Sequence, residues 1–212
     1  MTFTFDDAPN SVVEVGLPVL EKYGYPATVY IATRNTTAPD YMSWDDVAKV
    51  AQAGWEIAAH THTHPHLTQL TDEKIVEEFE TSKLWFAEHG YAPVDFASPY
   101  GFMDSRVLKI VKGYYQTHRT GWPHAVNQIP PDWYHLAAYD VGNDIKLAAV
   151  SKMLDSLQKT GGWVILVMHH VTPRGEPVEY SSDTNLLEDI AKLVKARGIP
   201  VLTVEEALKK FS

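Results

Sequence analysis

The stretch Trp163-Val164-Ile165-Leu166-Val167-Met168-His169-His170 runs six apolar residues together and then ends in two imidazoles. A strand with one solvated face alternates apolar and polar side chains; this run does not, so it reads as a strand covered on both faces, as in a parallel sheet. Shorter runs of the same kind occur at 2–5, 27–31, 56–59, 94–98, 114–117 and 200–202. Amphipathic segments separate them. The segment 144–160 puts Leu147, Val150, Leu154 and Leu157 on one face, and 185–197 does so with Leu186, Ile190, Leu193 and Val194. Gly161 and Gly198 stand where these helices should stop, Asn143 and Asp144 look like caps of the first, Thr71 and Asp72 can open another helix, and Thr203 with Glu206 has capping-box spacing.

Alternating strands and helices without a linker or internal repeat mean an α/β fold in a single domain over residues 1–212. About seven such alternations close most naturally as a barrel or partly open barrel, with chemistry where strands pass into loops. Four polar clusters stand at those places: Asp6-Asp7, His60, Pro99-Tyr100 and His169.

The composition narrows the function classes. With 45% hydrophobic and 21% charged residues, the 212-residue chain has the balance of a packed protein rather than a disordered or fibrous one. Its 27 acidic against 18 basic residues give a net charge of −9, and without a basic run nucleic acid is not an expected partner. No apolar stretch approaches the roughly 20 residues of a membrane span. The absence of cysteine excludes disulfides, thiolate catalysis and Cys-ligated metals. Met1 directly precedes a buried-looking strand, and an upstream segment in the natural chain is expected.

Four of the ten histidines fall within Ala59-His60-Thr61-His62-Thr63-His64-Pro65-His66. If the segment coils at helical pitch, His60 and His64 share a face and can meet one metal, while His62 points elsewhere. Alone, such a pair is as often a polar loop, and Asp6-Asp7 alone is usually a turn. Together they compose a two-His, one-carboxylate set with a second carboxylate left free as a base. In the 96–101 segment, Pro99-Tyr100-Gly101 forms a corner that can aim a backbone N–H at the rim.

In this order, Thr4-Phe5-Asp6-Asp7, His60-Thr61-x-x-His64, Pro99-Tyr100-Gly101 and the strand ending in His169 resemble the polysaccharide deacetylases of carbohydrate esterase family 4, the NodB-homology domain. The resemblance covers essentially the whole chain. It implies a distorted (β/α) barrel of about seven parallel strands, and one divalent metal, most commonly zinc with cobalt or nickel as alternatives, held by Asp7, His60 and His64. It further implies Asp6 as general base, His169 as general acid and the Tyr100 backbone N–H as an oxyanion donor. Pro99, Tyr100 and Trp122 are the expected substrate-contacting residues, with Trp133 and Tyr134 as further aromatic planes. Most relatives carry an arginine at the position of Ala97 that holds the base; here Arg119 is the candidate replacement, and Asp140 the candidate partner of His169.

The expected activity is removal of N-acetyl groups from N-acetylglucosamine units of chitin, chito-oligosaccharide, peptidoglycan or poly-N-acetylglucosamine. O-deacetylation of xylan, hydrolysis of a small amide, and a catalytically weak carbohydrate-binding domain are the alternatives. An acetylated glycan would be the partner, and export to the cell surface or medium follows from that substrate. The sequence carries no signal for oligomeric state.

Overall fold

The computed structural model describes residues 1–121, 123–142, 145–172 and 181–212. Its centre is β1 (Thr2–Asp6), followed in sequence by α1 (Leu17–Glu21) and β2 (Thr28–Ile31). Then follow α2 (Trp44–Gln52), β3 (Glu56–Ala59), α3 (Asp72–Glu88), β4 (Asp95–Ala97), α4 (Ser105–Val111) and β5 (Thr117–Arg119). The remainder is β6 (Tyr139–Asp140), α5 (Leu147–Thr160), β7 (Ile165–Met168), β8 (His170–Thr172), β9 (Ser181–Asp183), α6 (Thr184–Ala196) and α7 (Val204–Phe211).

Seven strands form one sheet in the order β5-β4-β3-β2-β1-β7-β6, every pair parallel, with β8 and β9 as a separate parallel pair. The sheet curls into a distorted barrel. Leu136 bridges Arg119 at one edge, and Tyr139 and Asp140 pair with β7 at the other, so one short segment reaches both edges.

The uninterrupted apolar runs are explained by a core on each side of the sheet. Phe3, Phe5, Val29, Ile31, Ala59, Phe96, Leu166 and Met168 face the helices. Their neighbours Tyr30, Ala58, Ala97, Ile165 and Val167 pack inside the barrel with Trp163. Phe5 stacks on Trp55 at 5.3 Å between ring centroids, and the Trp163 indole donates to Thr2 Oγ1 at 2.9 Å. Because the side-chain period is two, Thr2, Thr4 and Asp6 take the interior face of β1. From α7, Val204 and Ala207 fill the opposite end of the barrel. Among the described residues no helix is long and apolar enough to cross a membrane.

Three expectations are corrected. The run 114–117 is not a strand: Tyr114 and Tyr115 belong to the turn that ends α4, with Tyr115 stacked on Phe96 at 4.9 Å, and β5 starts at Thr117. Aromatic residues there answer to packing rather than pairing. The run 200–202 lies beside Met1 through Pro200 O and Leu202 N but forms no ladder, consistent with a proline that lacks an N–H. The seventh strand is instead Tyr139–Asp140, too short to show a pattern. Helix α5 starts at Leu147 with Lys146 as N-cap, while Asn143 and Asp144 lie outside the described residues. Gly161 and Gly198 end their helices at φ 72° and 63°, and Thr203 with Glu206 makes both capping-box bonds.

At the floor of the barrel, Glu56 Oε2 accepts from Thr28 Oγ1 at 2.8 Å and from the Glu205 N–H of α7 at 2.9 Å. Burial first, then a hydrogen bond and the charge of Asp95, hold the Glu56 carboxyl well above the usual carboxylate range. An acid raised in the folded state contributes stability that is full below its unfolded pKa, about 4.3, and lost as pH rises through the folded value. Glu56→Gln keeps the acceptor and can donate to Asp95, so it should flatten the loss of stability as pH rises above about 4.3. Urea unfolding across that range checks this; an unchanged slope would remove Glu56 as the cause.

Candidate metal and catalytic site

Strand alternation delivers the polar groups to the C-terminal rim. Asp6 ends the inward series of β1, His169 follows Ile165 and Val167 on the inward series of β7, and Arg119 is inward on β5. A cavity of about 380 Å³ is lined there by Asp6, Asp7, His60, His64, Tyr100, Phe102, Arg119, His124, Asp140 and His169 among others.

Asp7, His60 and His64 each offer a ligand atom, all within 4.8 Å of one another. The His64 Nε2 lies 3.2 Å and the His60 Nε2 3.7 Å from Asp7 Oδ1. That oxygen is buried and takes no hydrogen bond, as expected of an atom shaped for a cation. The Nδ1 of His60 meets Ala97 O at 2.8 Å, so this nitrogen carries the proton and Nε2 presents a lone pair to the cluster. Burial lowers the His60 pKa to about 4 against the opposing pull of Asp6 and Asp7, and its ring is neutral at physiological pH. Two imidazole nitrogens and one carboxylate oxygen suit a zinc-like ion with coordination positions left open.

The two histidines do not meet through helical pitch. The loop after β3 instead turns at Thr61 (φ 69°) and His64 (φ 60°), and His64 N donates to Thr61 Oγ1 at 3.0 Å. His62 points away, with Nδ1 2.8 Å from Thr33 Oγ1. All the non-glycine residues with positive φ among those described, Asp7, Ala8, Thr61, His64 and Tyr100, sit in this site or directly beside it. Such backbone costs about 1 kcal/mol or more per residue, and its concentration here marks a functional geometry.

Arg119 Nη2 reaches both oxygens of Asp6, at 2.6 and 2.5 Å, in a buried pair at the cavity wall. Burial alone would raise the Asp6 pKa; the charge of Arg119, together with its hydrogen bond, overcomes it and leaves it lowered, so Asp6 is ionised. The guanidinium lies 4.8 Å from the centroid of the Tyr30 ring. Ala97 and Arg119 are register partners on β4 and β5, which places the cation one strand over from the position of the family arginine.

Asp140 and His169 both line the cavity, whereas Pro99 is buried and outside the lining, where it shapes the turn that presents Tyr100. Gly101 is required there: a Cβ on it would come within 2.6 Å of Gly121 N. Trp122 lies outside the described residues. Trp133 packs against Trp163 and Tyr134 bonds Tyr115 O, and neither lines the cavity. Three lining or flanking rings were not anticipated: Phe102, 52% exposed; His124; and His66, stacked on Tyr100 at 3.8 Å. Their proximity to Pro99-Tyr100-Gly101 and to the histidine segment was the available signal for the first and last.

Fold and site together define a (β/α)-barrel protein with a carboxylate–imidazole cluster at its strand ends. A family model described as polysaccharide deacetylase matches residues 1–117, and the chain belongs to that family, carbohydrate esterase family 4, a family of deacetylase hydrolases. It is 27% identical over 184 residues to a peptidoglycan-N-acetylglucosamine deacetylase of Bacillus cereus, covering 76% of this chain and 83% of the relative. It is 30% identical over 175 residues to chitin deacetylase 3 of Cryptococcus neoformans, covering 77% of this chain but 39% of that one. In fold it is similar to the Xyl-CE4 domain of a multidomain xylanase from the hindgut metagenome of Trinervitermes trinervoides, with a TM-score of 0.69 at 22% identity, covering 99% of this chain and 89% of that one.

Proposed function

We propose that residues 1–212 form one metal-dependent catalytic domain that removes N-acetyl groups from glycans containing N-acetylglucosamine. The observation that carries this is the buried, unbonded Asp7 Oδ1 facing two imidazole nitrogens beside an Arg119-held Asp6. Relatives named for peptidoglycan and chitin support the substrate class. The exposed rings of Tyr100 and Phe102 suit the CH faces of a sugar, and a net charge of −9 suits a neutral polymer or one that gains positive charge as it loses acetyl groups. Such glycans lie outside the cytoplasm, and the protein is assigned to the cell surface or medium on that ground.

Asp7, His60 and His64 would hold the metal, zinc by the chemistry of the donor set, and the ion supplies Lewis acidity to the acetyl carbonyl and to the attacking water. Asp6, kept ionised and oriented by Arg119, takes the proton of that water as its oxygen bonds to the carbonyl carbon. The backbone N–H of Tyr100 donates to the developing oxyanion. His169 gives a proton to the sugar nitrogen as the C–N bond breaks, leaving acetate and a free amine.

Acetate release from chito-oligosaccharides and from acetylated xylan, with protein stripped of metal and then given zinc, cobalt or nickel, tests this reading. Zinc-dependent release from the chito-oligosaccharides is expected. Release from xylan alone would make the protein an O-deacetylase, and release from neither despite zinc binding would overturn the enzyme assignment.

A further inference from the structure

We propose that Glu78, on the helix behind the histidine loop, is the positioning residue that holds His60 and His64 in their metal-binding arrangement; this rests on Asp7, His60 and His64 being the ligands. Glu78 lies in the second turn of α3, seven residues from the Thr71 N-cap, and does not line the cavity. Its Oε2 accepts from His62 N at 2.9 Å and Thr63 N at 2.8 Å, and its Oε1 accepts from Thr63 Oγ1 at 2.6 Å. One carboxylate therefore binds both residues at the centre of the turn that joins the two imidazoles.

The rest of the loop is held from the opposite side. Thr33 N donates to Thr61 O at 3.2 Å and Arg34 N to His62 O at 2.9 Å, while Thr33 Oγ1 meets His62 Nδ1 at 2.8 Å. These contacts fix the His60 end and the His62 side chain. The His64 end turns back through a left-handed conformation at His64 itself, where His64 N donates to Thr61 Oγ1 at 3.0 Å, and the two adjacent N–H groups at 62 and 63 have Glu78 as their acceptor. A single side-chain acceptor that takes both, and the neighbouring hydroxyl, converts a strained turn into a defined one. Without it the N–H groups turn to water and the loop relaxes, so His64 no longer converges with His60 and Asp7. The effect passes through the loop backbone, so it should fall on metal affinity rather than on the reaction of metal-loaded protein.

The test is calorimetric titration of zinc into metal-stripped wild-type protein and into Glu78→Ala, Glu78→Gln and Glu80→Ala. Partners outside the ligand set are worth about 10–100-fold in metal affinity, and Glu78→Ala is expected to lose about 10-fold. Glu78→Gln keeps an oxygen for the two N–H groups and lets the Thr63 hydroxyl turn to accept, so it should recover most of that loss. Glu80→Ala removes a contact of the same helix with the Tyr114 hydroxyl that does not touch the loop, and should bind zinc as wild type does. The ligand-field spectrum of the cobalt forms should change in Glu78→Ala alone. Equal zinc affinity in wild type and Glu78→Ala, or equal losses in Glu78→Ala and Glu80→Ala, would overturn the proposal. Failure of wild-type protein to bind zinc would overturn the ligand assignment, and this inference with it.

Discussion

Asp6→Asn should lower kcat/KM for acetate release by about 1,000-fold, within the span expected for a lost general base. Zinc affinity should stay within a few-fold of wild type. The substitution keeps the shape of the side chain and an oxygen for Arg119, but an amide has no basic lone pair for the proton of the attacking water. The ligand set of Asp7, His60 and His64 is untouched: Asp6 is held by Arg119 and stands 4.0 Å from His60 Nε2, while Asp7 Oδ1 lies closer to both imidazoles, at 3.7 and 3.2 Å. Steady-state kinetics on a chito-oligosaccharide, with a parallel zinc titration, separates the roles. A variant that retained a tenth of the activity would remove Asp6 as base, and one that lost zinc as well would show that the two aspartates act together.

The parts of the molecule legible in the sequence are those in which local pattern and tertiary demand agree. Strand β3 has the expected bounds and β1 the expected start: β1 is buried along its whole length, and β3 is bounded by the left-handed turns at Gly54 and Thr61. The candidate cluster was legible because its residues fall directly after apolar runs, where the direction of a parallel strand brings them to one rim. What failed was decided by groups far apart in sequence. Tyr115 belongs to the core beside Phe96, which propensity counts as strand. Tyr139–Asp140 joins the sheet because β7 offers an unpaired edge, and no two-residue pattern announces that. The approach of His60 and His64 depends on left-handed turns at Thr61 and His64, residue types in which such turns are uncommon, held partly by a carboxylate on another element. Arg119 was readable only as a cation near the next strand; its partnership with Asp6 spans 113 residues and follows from sheet order.

Arg119→Ala should cost both stability and activity, and Ala97→Arg should rescue it. Removing the guanidinium leaves Asp6 as a buried carboxylate without a counter-charge, a loss of about 3 kcal/mol or more in stability. The same change frees the base to rotate, raises its pKa toward that of an unpaired buried acid, and should lower kcat/KM by about 10–100-fold beyond any loss of folded protein. Ala97 stands beside Arg119 in register, and both face the barrel interior next to Tyr30. Neighbouring strands are about 4.8 Å apart, well within the reach of an arginine side chain, and the volume vacated at 119 is available to it. The guanidinium introduced on β4 in the double variant should therefore recover the Asp6 pair and most of the activity. Ala97→Arg alone should destabilise the protein, because it places a second guanidinium against the first in a closed space. The four proteins form a double-mutant cycle whose coupling, read by thermal unfolding and by kcat/KM, measures how far the two positions substitute for one another. A folded double variant no more active than Arg119→Ala would show that the base needs its cation on β5, and that the exchange of strands changed the site rather than relocating a contact.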